Sequence, residues 1–303
     1  TPIEVVQFSG VTIEIDRNVL MRIKENDIVV VQDFPLGTDG QVNLRLQRFE
    51  VLAPDAEVVR GTINIDGTLL QKQFPKPNIV FLKGVIEGNP SSSVFLALGE
   101  HTTNGLIERD GMTYVLAKDK TRGWTTVYNL SNVDPKDMNW ADFHCGVEDA
   151  SKPIIEQRNR SANGRGDECK AIQIAVDTDY EFTEELFEGN IAASSEYAVT
   201  LMAALSAIFT NNVEIGIQVS FLRLWDNSSD PWTAIGAHEQ LIQFRNFWAE
   251  NMGDVSRHLA HLLSARHFDW GGVAYVGAVC TSYGYAFSAG LNGSFPIPLE
   301  DHH

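Results

Sequence analysis

The chain has 303 residues, 44% of them apolar, enough to build the cores of two domains of ordinary size. Its formal net charge is −17, and both halves are acidic, so neither offers the basic surface that a phosphate backbone requires; nucleic acid is not an expected partner. No run approaches the roughly 18 apolar residues of a membrane span, so no span is expected.

The sequence opens on strand-like "TPIEVVQFSGVTIEID", without the basic-then-apolar pattern of a signal peptide. Residues 1–140 then alternate apolar and polar positions between Gly, Asn and Asp punctuation. "VNLRLQRFEVL" places Val42, Leu44 and Leu46 on one face at period two. "GVIEGNPSSSVFLALGEHTTNGLIERDGMTYVLAK" reads as successive short strands, with Asn104-Gly105 and Asp110-Gly111 as turns because both dipeptides tolerate positive φ. Residues 1–150 are therefore expected to form an antiparallel β-rich domain.

From 151 to 168 the pattern lapses into "SKPIIEQRNRSANGRGDE", which predicts a solvated linker. Its basic residues, Arg160 and Arg165 among them, equally fit a processing site, since exposed polar tips are where chains are cut. The Arg-Gly-Asp triplet at 165–167 is read as coincidence in a Gly-containing linker.

After Cys169 strands alternate with helices. "KAIQIAVD" is a buried strand, and Thr178 with Glu181 forms a capping box opening a helix. A longer helix follows with a stripe of Tyr197, Leu201, Leu205 and Ile208. "VEIGIQVSF" is a strand, and "AHEQLIQFRNFWAENM" is a helix marked by Leu241, Phe244 and Trp248. "SRHLAHLLSA", "GGVAYVGAVC" and "YGYAFSAG" read as further strands. This order predicts a mostly parallel α/β sheet over 169–303 and an α+β chain overall.

Three cysteines, Cys145, Cys169 and Cys280, are too few for a disulfide scaffold; one pair plus one special thiol is the simplest arithmetic. Four glycosylation sequons occur, at Asn129, Asn159, Asn227 and Asn292. His238-Glu239 begins a zinc-protease pattern that fails at Ile242. His258 and His261, three apart in a strand-like run, point to opposite faces. No G-x-S-x-G elbow is present. No catalytic constellation is complete in this sequence.

The segments "ECKAIQIAVDTDYEF", "VEIGIQVSFLRLW" and "HLAHLLSARHFDWGGVAYVGAVC", in this order, resemble the first half of a reprolysin (adamalysin-type) metzincin protease domain, over about 169–290. Upstream, the Gly-x-x-x-Gly-x-Pro-x-Ser run from Gly84 to Ser92 is similar to the propeptide of the same family. The resemblance implies a secreted zinc-dependent metalloendopeptidase made as a zymogen. It implies a "cysteine switch" at Cys145-Gly146-Val147, with Cys145 as zinc ligand in the latent state and the propeptide as intramolecular inhibitor. The lead-in Phe143-His144 departs from the family's usual one. A thiolate in the open zinc position displaces the water that would attack the peptide.

The resemblance also implies an antiparallel edge strand from Val273 to Cys280, with Val273, Ala274, Tyr275, Val276 and Gly277 pairing with an extended protein or peptide substrate. Gly271, Gly272 and Gly277 would keep that edge slim. Cys169 and Cys280, which bracket the α/β region, are the expected disulfide. The family's zinc motif and its general-base Glu do not occur before His303, so this chain is expected to be a truncated zymogen, inactive by itself. The competing expectation is a non-catalytic extracellular binding protein, built from a β module and a degenerate protease-like module.

Overall fold

The computed structural model describes residues 11–118, 124–133 and 170–294. In chain order the elements are β1 (Val11–Ile13), α1 (Arg17–Leu20), β2 (Ile28–Pro35), β3 (Gln41–Phe49), β4 (Leu52–Ile63), β5 (Leu69–Gln73), β6 (Val80–Ile86) and β7 (Asn89–Leu98). They continue with β8 (Thr103–Arg109), β9 (Met112–Lys118), β10 (Thr125–Asn129), β11 (Lys170–Thr178), α2 (Tyr180–Phe187), α3 (Ile191–Val213) and β12 (Ile215–Trp225). The last are α4 (Ala237–Asn251), β13 (Leu259–Leu263), β14 (Gly272–Ala274) and β15 (Tyr285–Ser288). The chain is mixed α+β and strand-rich. Its described residues divide into two compact units, one of 11–50, 77–133 and 294, the other of 51–76 and 170–293.

The first unit is an antiparallel sheet in the order β1-β10-β9-β8-β7-β6-β3-β2. One face is apolar because alternate residues point the same way: Leu44 and Leu46 of β3 are buried with Leu82, Val94, Leu96 and Leu116. Each fully buried aliphatic side chain contributes about 1.5–3 kcal/mol, and these clusters hold the sheet. Asp110-Gly111 is the expected turn, both residues at positive φ (52° and 79°) between the paired ends Arg109 and Met112. Asn104-Gly105, by contrast, lies inside β8, paired with Ala97 and Leu96. The reason is packing: a Cβ on Gly105 would stand 2.6 Å from Leu96 Cδ2 and 2.9 Å from the Phe95 carbonyl oxygen. This glycine serves close strand approach, and the actual β7–β8 turn is closed by Gly99 N–H donating to the Thr102 carbonyl at 2.7 Å.

The second unit is a seven-stranded sheet in the order β14-β15-β13-β11-β12-β4-β5. β11 lies between β12 and β13 and is parallel to both, β15 is parallel to β13, and β14 is antiparallel to β15 at one edge. β12 carries an extra residue, Ser220, whose hydroxyl donates to the Ser256 carbonyl at 2.8 Å. Such a bulge re-aims the strand without breaking the ladder.

Three sequence expectations change here. The cap of α2 is Asp179, not Thr178: its carboxylate accepts from Phe182 N–H at 2.7 Å. The strand runs through Thr178, so the turn into helix comes one residue later. α3 is buried on nearly all sides from Ala193 to Ala207; of the expected stripe, Tyr197 is buried, Leu201 and Leu205 are partly buried and Ile208 is exposed. No single stripe marks it, because Val199, Met202 and several alanines are buried as well. α3 is also long and apolar enough to cross a membrane, contrary to the expectation that no segment is, but most of that stretch is buried within the unit as a core helix.

The largest difference concerns the division of the chain. The hairpin β4–β5 comes from within 1–150, yet it belongs to the second unit, where β4 is parallel to β12 over Glu57–Gly61. Val58 and Val59 are buried, and Val59 and Leu69 join the cluster of Phe221, Trp248 and Leu262. A continuous β domain over 1–150 is therefore interrupted by 51–76.

Candidate functional site

The expected edge strand Val273–Cys280 is shorter in the structure: β14 spans Gly272–Ala274, with Val273 opposite Phe287 and Ala274 opposite Ala286. Beyond it the chain turns away. Gly277 and Cys280 both have positive φ (70° and 61°), and Thr281 N–H donates to the Ala278 carbonyl at 3.1 Å. The Cys280 N–H donates to the His258 carbonyl at 3.3 Å, docking this loop at the start of β13.

Among the described residues no strand pairs with the outer side of β14. The Gly271 carbonyl accepts from Ala289 N–H at 2.9 Å and the Tyr275 N–H donates to the Tyr285 carbonyl at 3.4 Å, so residues 271, 273 and 275 direct their backbone groups toward β15. By strand alternation Gly272 and Ala274 direct theirs outward. Val273 is buried in the core cluster and Ala274 is exposed. Gly272 acts on the closed side: a Cβ there would lie 2.9 Å from the Phe287 carbonyl oxygen, so glycine allows β14 to approach β15. Gly277 has no such neighbour.

Past the strand, Tyr275 and Tyr283 meet edge to face at 5.2 Å, and the Arg245 guanidinium from α4 lies over both rings, at 5.8 and 5.0 Å. Val276, beside them, is 77% exposed. This gives a short strand edge next to an aromatic pair with one cation. Tyr283 and Arg245 carried no motif signal, since they join Tyr275 only through the loop's return and the packing of α4.

The carboxyl ends of β11, β12 and β13 carry an electrostatic framework. Asp177 and Arg223 are ion-paired and fully buried. Asp177 also accepts from the indole N–H groups of Trp225 (3.1 Å) and Trp248 (2.7 Å), and Arg223 is sandwiched among Trp225, Phe247 and Trp248. Next along the chain, Asp179 accepts from Ala265 N–H at 3.3 Å and from the Ser264 hydroxyl. Burial pushes its pKa up to about 6, hydrogen bonds from Ser264 opposing. Asp230, which accepts from Tyr180 N–H at 2.8 Å, is pushed up by burial to about 7, with the charges of Glu181 and Asp179 adding to the shift. Arg266 ties the neighbouring loop by donating to the Trp232 carbonyl at 2.8 Å and Gln240 Oε1 at 3.2 Å.

His261 Nε2 lies 2.9 Å from the Ser288 hydroxyl, and desolvation lowers the imidazole pKa to about 4, so it is neutral at neutral pH. His258 Nδ1 accepts from Gln173 N–H at 2.9 Å. The two histidines are thus held by separate partners. Among the described residues no group of three or more His, Cys, Asp or Glu could hold a metal ion. The His, Cys, Asp and Glu side chains among the described residues do not form a set that fits a zinc ion. Cys145, Cys169, Arg160 and Arg165 lie outside the described residues; Cys280 is a free, exposed thiol. Two sequons are engaged structurally: Asn129 donates to Asp39 at 2.9 Å and Asn227 donates to the Gly61 carbonyl at 3.3 Å.

With this geometry established, residues 169–295 match the Reprolysin_5 family model, Metallo-peptidase family M12. No curated protein matches the chain. Among solved structures, a metalloproteinase-II from Bacteroides fragilis is similar at 11% identity and a TM-score of 0.45, over 91% of this chain and 79% of that one. A chaperone–substrate complex is similar at 11% identity and a TM-score of 0.33, over 62% of this chain and 28% of that one.

Proposed function

We propose that this chain is part of the proenzyme of a secreted, zinc-dependent metalloendopeptidase, and that it supplies the strand on which an extended substrate lies. The observation that carries this reading is the coincidence of the metallopeptidase match with the sheet ending in an open antiparallel edge. The match spans 169–295, and within it β14 leaves the backbone groups of Gly272 and Ala274 free of β15. An extended peptide added to such an edge gains main-chain hydrogen bonds whatever its sequence, while side chains at alternate positions meet the protein surface. The Tyr275–Tyr283 pair and Arg245 would contact a substrate side chain near its end.

Family M12 enzymes use zinc, and on this reading the metal, its ligands and the general base belong to the full protein. Cys145 would hold the metal in the latent state, the segment 1–150 acting as inhibitor until a cut near Arg160 or Arg165 lets the Cys145 segment withdraw from the metal, whether or not the rest of the N-terminal piece departs. The test is hydrolysis of an unfolded protein by the full-length protein after cleavage in 151–168. Turnover that a zinc chelator stops and zinc restores supports the reading. Binding of peptide without turnover, at any zinc concentration, would leave a peptide-binding protein instead.

A further inference from the structure

The hairpin 51–76 sits on the opposite edge of the second unit's sheet from β14, and it comes from the part of the chain that precedes the basic segment 151–168. β4 is not an accessory to that sheet. It covers the ladder side of β12, pairing Phe221 with Glu57 through Trp225 with Gly61 in parallel register. Without it β12 would expose a row of unpaired N–H and C=O groups.

Side chains lock the pairing along its length. Gly61 lies flat against the framework described above: a Cβ there would be 3.0 Å from both Arg223 Cδ and the Trp225 indole. Arg60 is ion-paired with Asp226, the Ile63 N–H donates to the Ser229 hydroxyl at 2.9 Å, and Asn227 donates to the Gly61 carbonyl. At the other end the Val219 N–H donates to the Val51 carbonyl at 2.7 Å, and Val51, Ala53, Ala56, Val58 and Val59 are all buried. The hairpin is closed by an Asn64–Thr68 turn with Gly67 at φ 84°, and it leaves through "FPKPN", where two prolines favour extended chain.

We infer that residues 51–76 are a resident part of the sheet that carries the metallopeptidase match, so that cutting the chain in 151–168 leaves the two pieces joined through β4 and β12. The N-terminal piece then stays anchored by a hairpin that the C-terminal piece needs for its own core. Processing and release become separate events, and release requires the hairpin to leave or to be degraded. This concerns the proenzyme reading only in supplying a natural cut; the pairing itself stands on the geometry.

The test uses the full 303-residue chain with a recognition sequence for a site-specific protease placed within 151–168. After complete cutting, the fragments are expected to co-elute in size exclusion at the uncut volume and to separate in denaturant. Amide exchange at Val58–Gly61 is expected to stay within about threefold of the uncut chain, because the strand remains paired. Fragments that separate without denaturant, or that co-elute while the Val58–Gly61 amides exchange at unfolded rates, overturn the inference. The double variant Val58→Asp/Val59→Asp is expected to release the fragments after cutting, and retention in that variant also overturns it. Should the variant not fold, exchange in the unsubstituted cut chain decides alone. Neither readout uses peptidase activity, so loss of the catalytic reading would leave this result interpretable.

Discussion

Asp177 and Arg223 are direct partners across β11 and β12, and both side chains have 0% exposure. Two charges removed from water in this way are tolerable only when every polar atom around them is used. Here the carboxylate is shared among the guanidinium, two indole N–H groups and the Thr178 amide. Removing one partner leaves an unpaired buried charge. Arg223→Met is therefore expected to destabilise the second unit by about 3–5 kcal/mol, read as a shift in denaturant midpoint. Asp177→Leu/Arg223→Met together should recover much of that loss, because no charge is then stranded.

Stability should fall as pH rises from about 4 to about 7. Asp179 and Asp230 have folded pKa values of about 6 and about 7 against an ordinary 3.8, so between those limits the folded chain binds more protons than the unfolded one. Each group contributes a slope of at most about 1.4 kcal/mol per pH unit, with stability greatest below the unfolded pKa and lost through the folded one. His261 works in the other direction. Its pKa is lowered to about 4 from 6.5, so its contribution is lost as pH falls through that range. Asp230→Asn should flatten the decline between pH 5 and 7, and His261→Gln should steepen it. A denaturation series over pH in the three proteins checks both signs.

Gly105 illustrates what a motif reading misses. Gly105→Ala should cost about 1–3 kcal/mol through overpacking against Leu96 and the Phe95 carbonyl, whereas substitution at a free turn would cost far less. The thermal midpoint of the first unit measures it.

The strand–helix alternation after Cys169 was legible because strong period-two and helical patterns persist there, as in Ile215–Phe221 and Leu241–Trp248. The Asn104-Gly105 dipeptide misled because a positive-φ signal and a close-packing signal use the same residue. The α3 face misled because the helix is buried on nearly all sides between Ala193 and Ala207, so no single stripe of large residues marks its packed face. The hairpin 51–76 was invisible to local pattern: its alternation is ordinary, and only the long-range partner β12 distinguishes it from a strand of the first sheet. For the candidate site the edge strand could be placed from the sequence to within its first residues. Tyr283 and Arg245 could not be, since distant positions converge there through tertiary packing.

If β14 is the substrate strand, Ala274→Pro should weaken peptide binding. Proline removes an outward N–H at an edge position where a strand tolerates it, so the fold should hold. In the active full-length protein KM is expected to rise about 3- to 10-fold, the worth of one hydrogen bond, with the thermal midpoint unchanged. An unchanged KM with an intact fold would remove β14 from the substrate site.

The most direct measurement of the central claim, latent zinc-dependent peptidase activity, compares uncut wild type with uncut Cys145→Ala in the full-length protein. If the thiolate holds the metal in the latent state, the alanine variant should hydrolyse unfolded protein before any cleavage in 151–168, a chelator should stop it, and wild type should stay silent until cut. Silence of both proteins after cutting, with zinc supplied, would contradict the account.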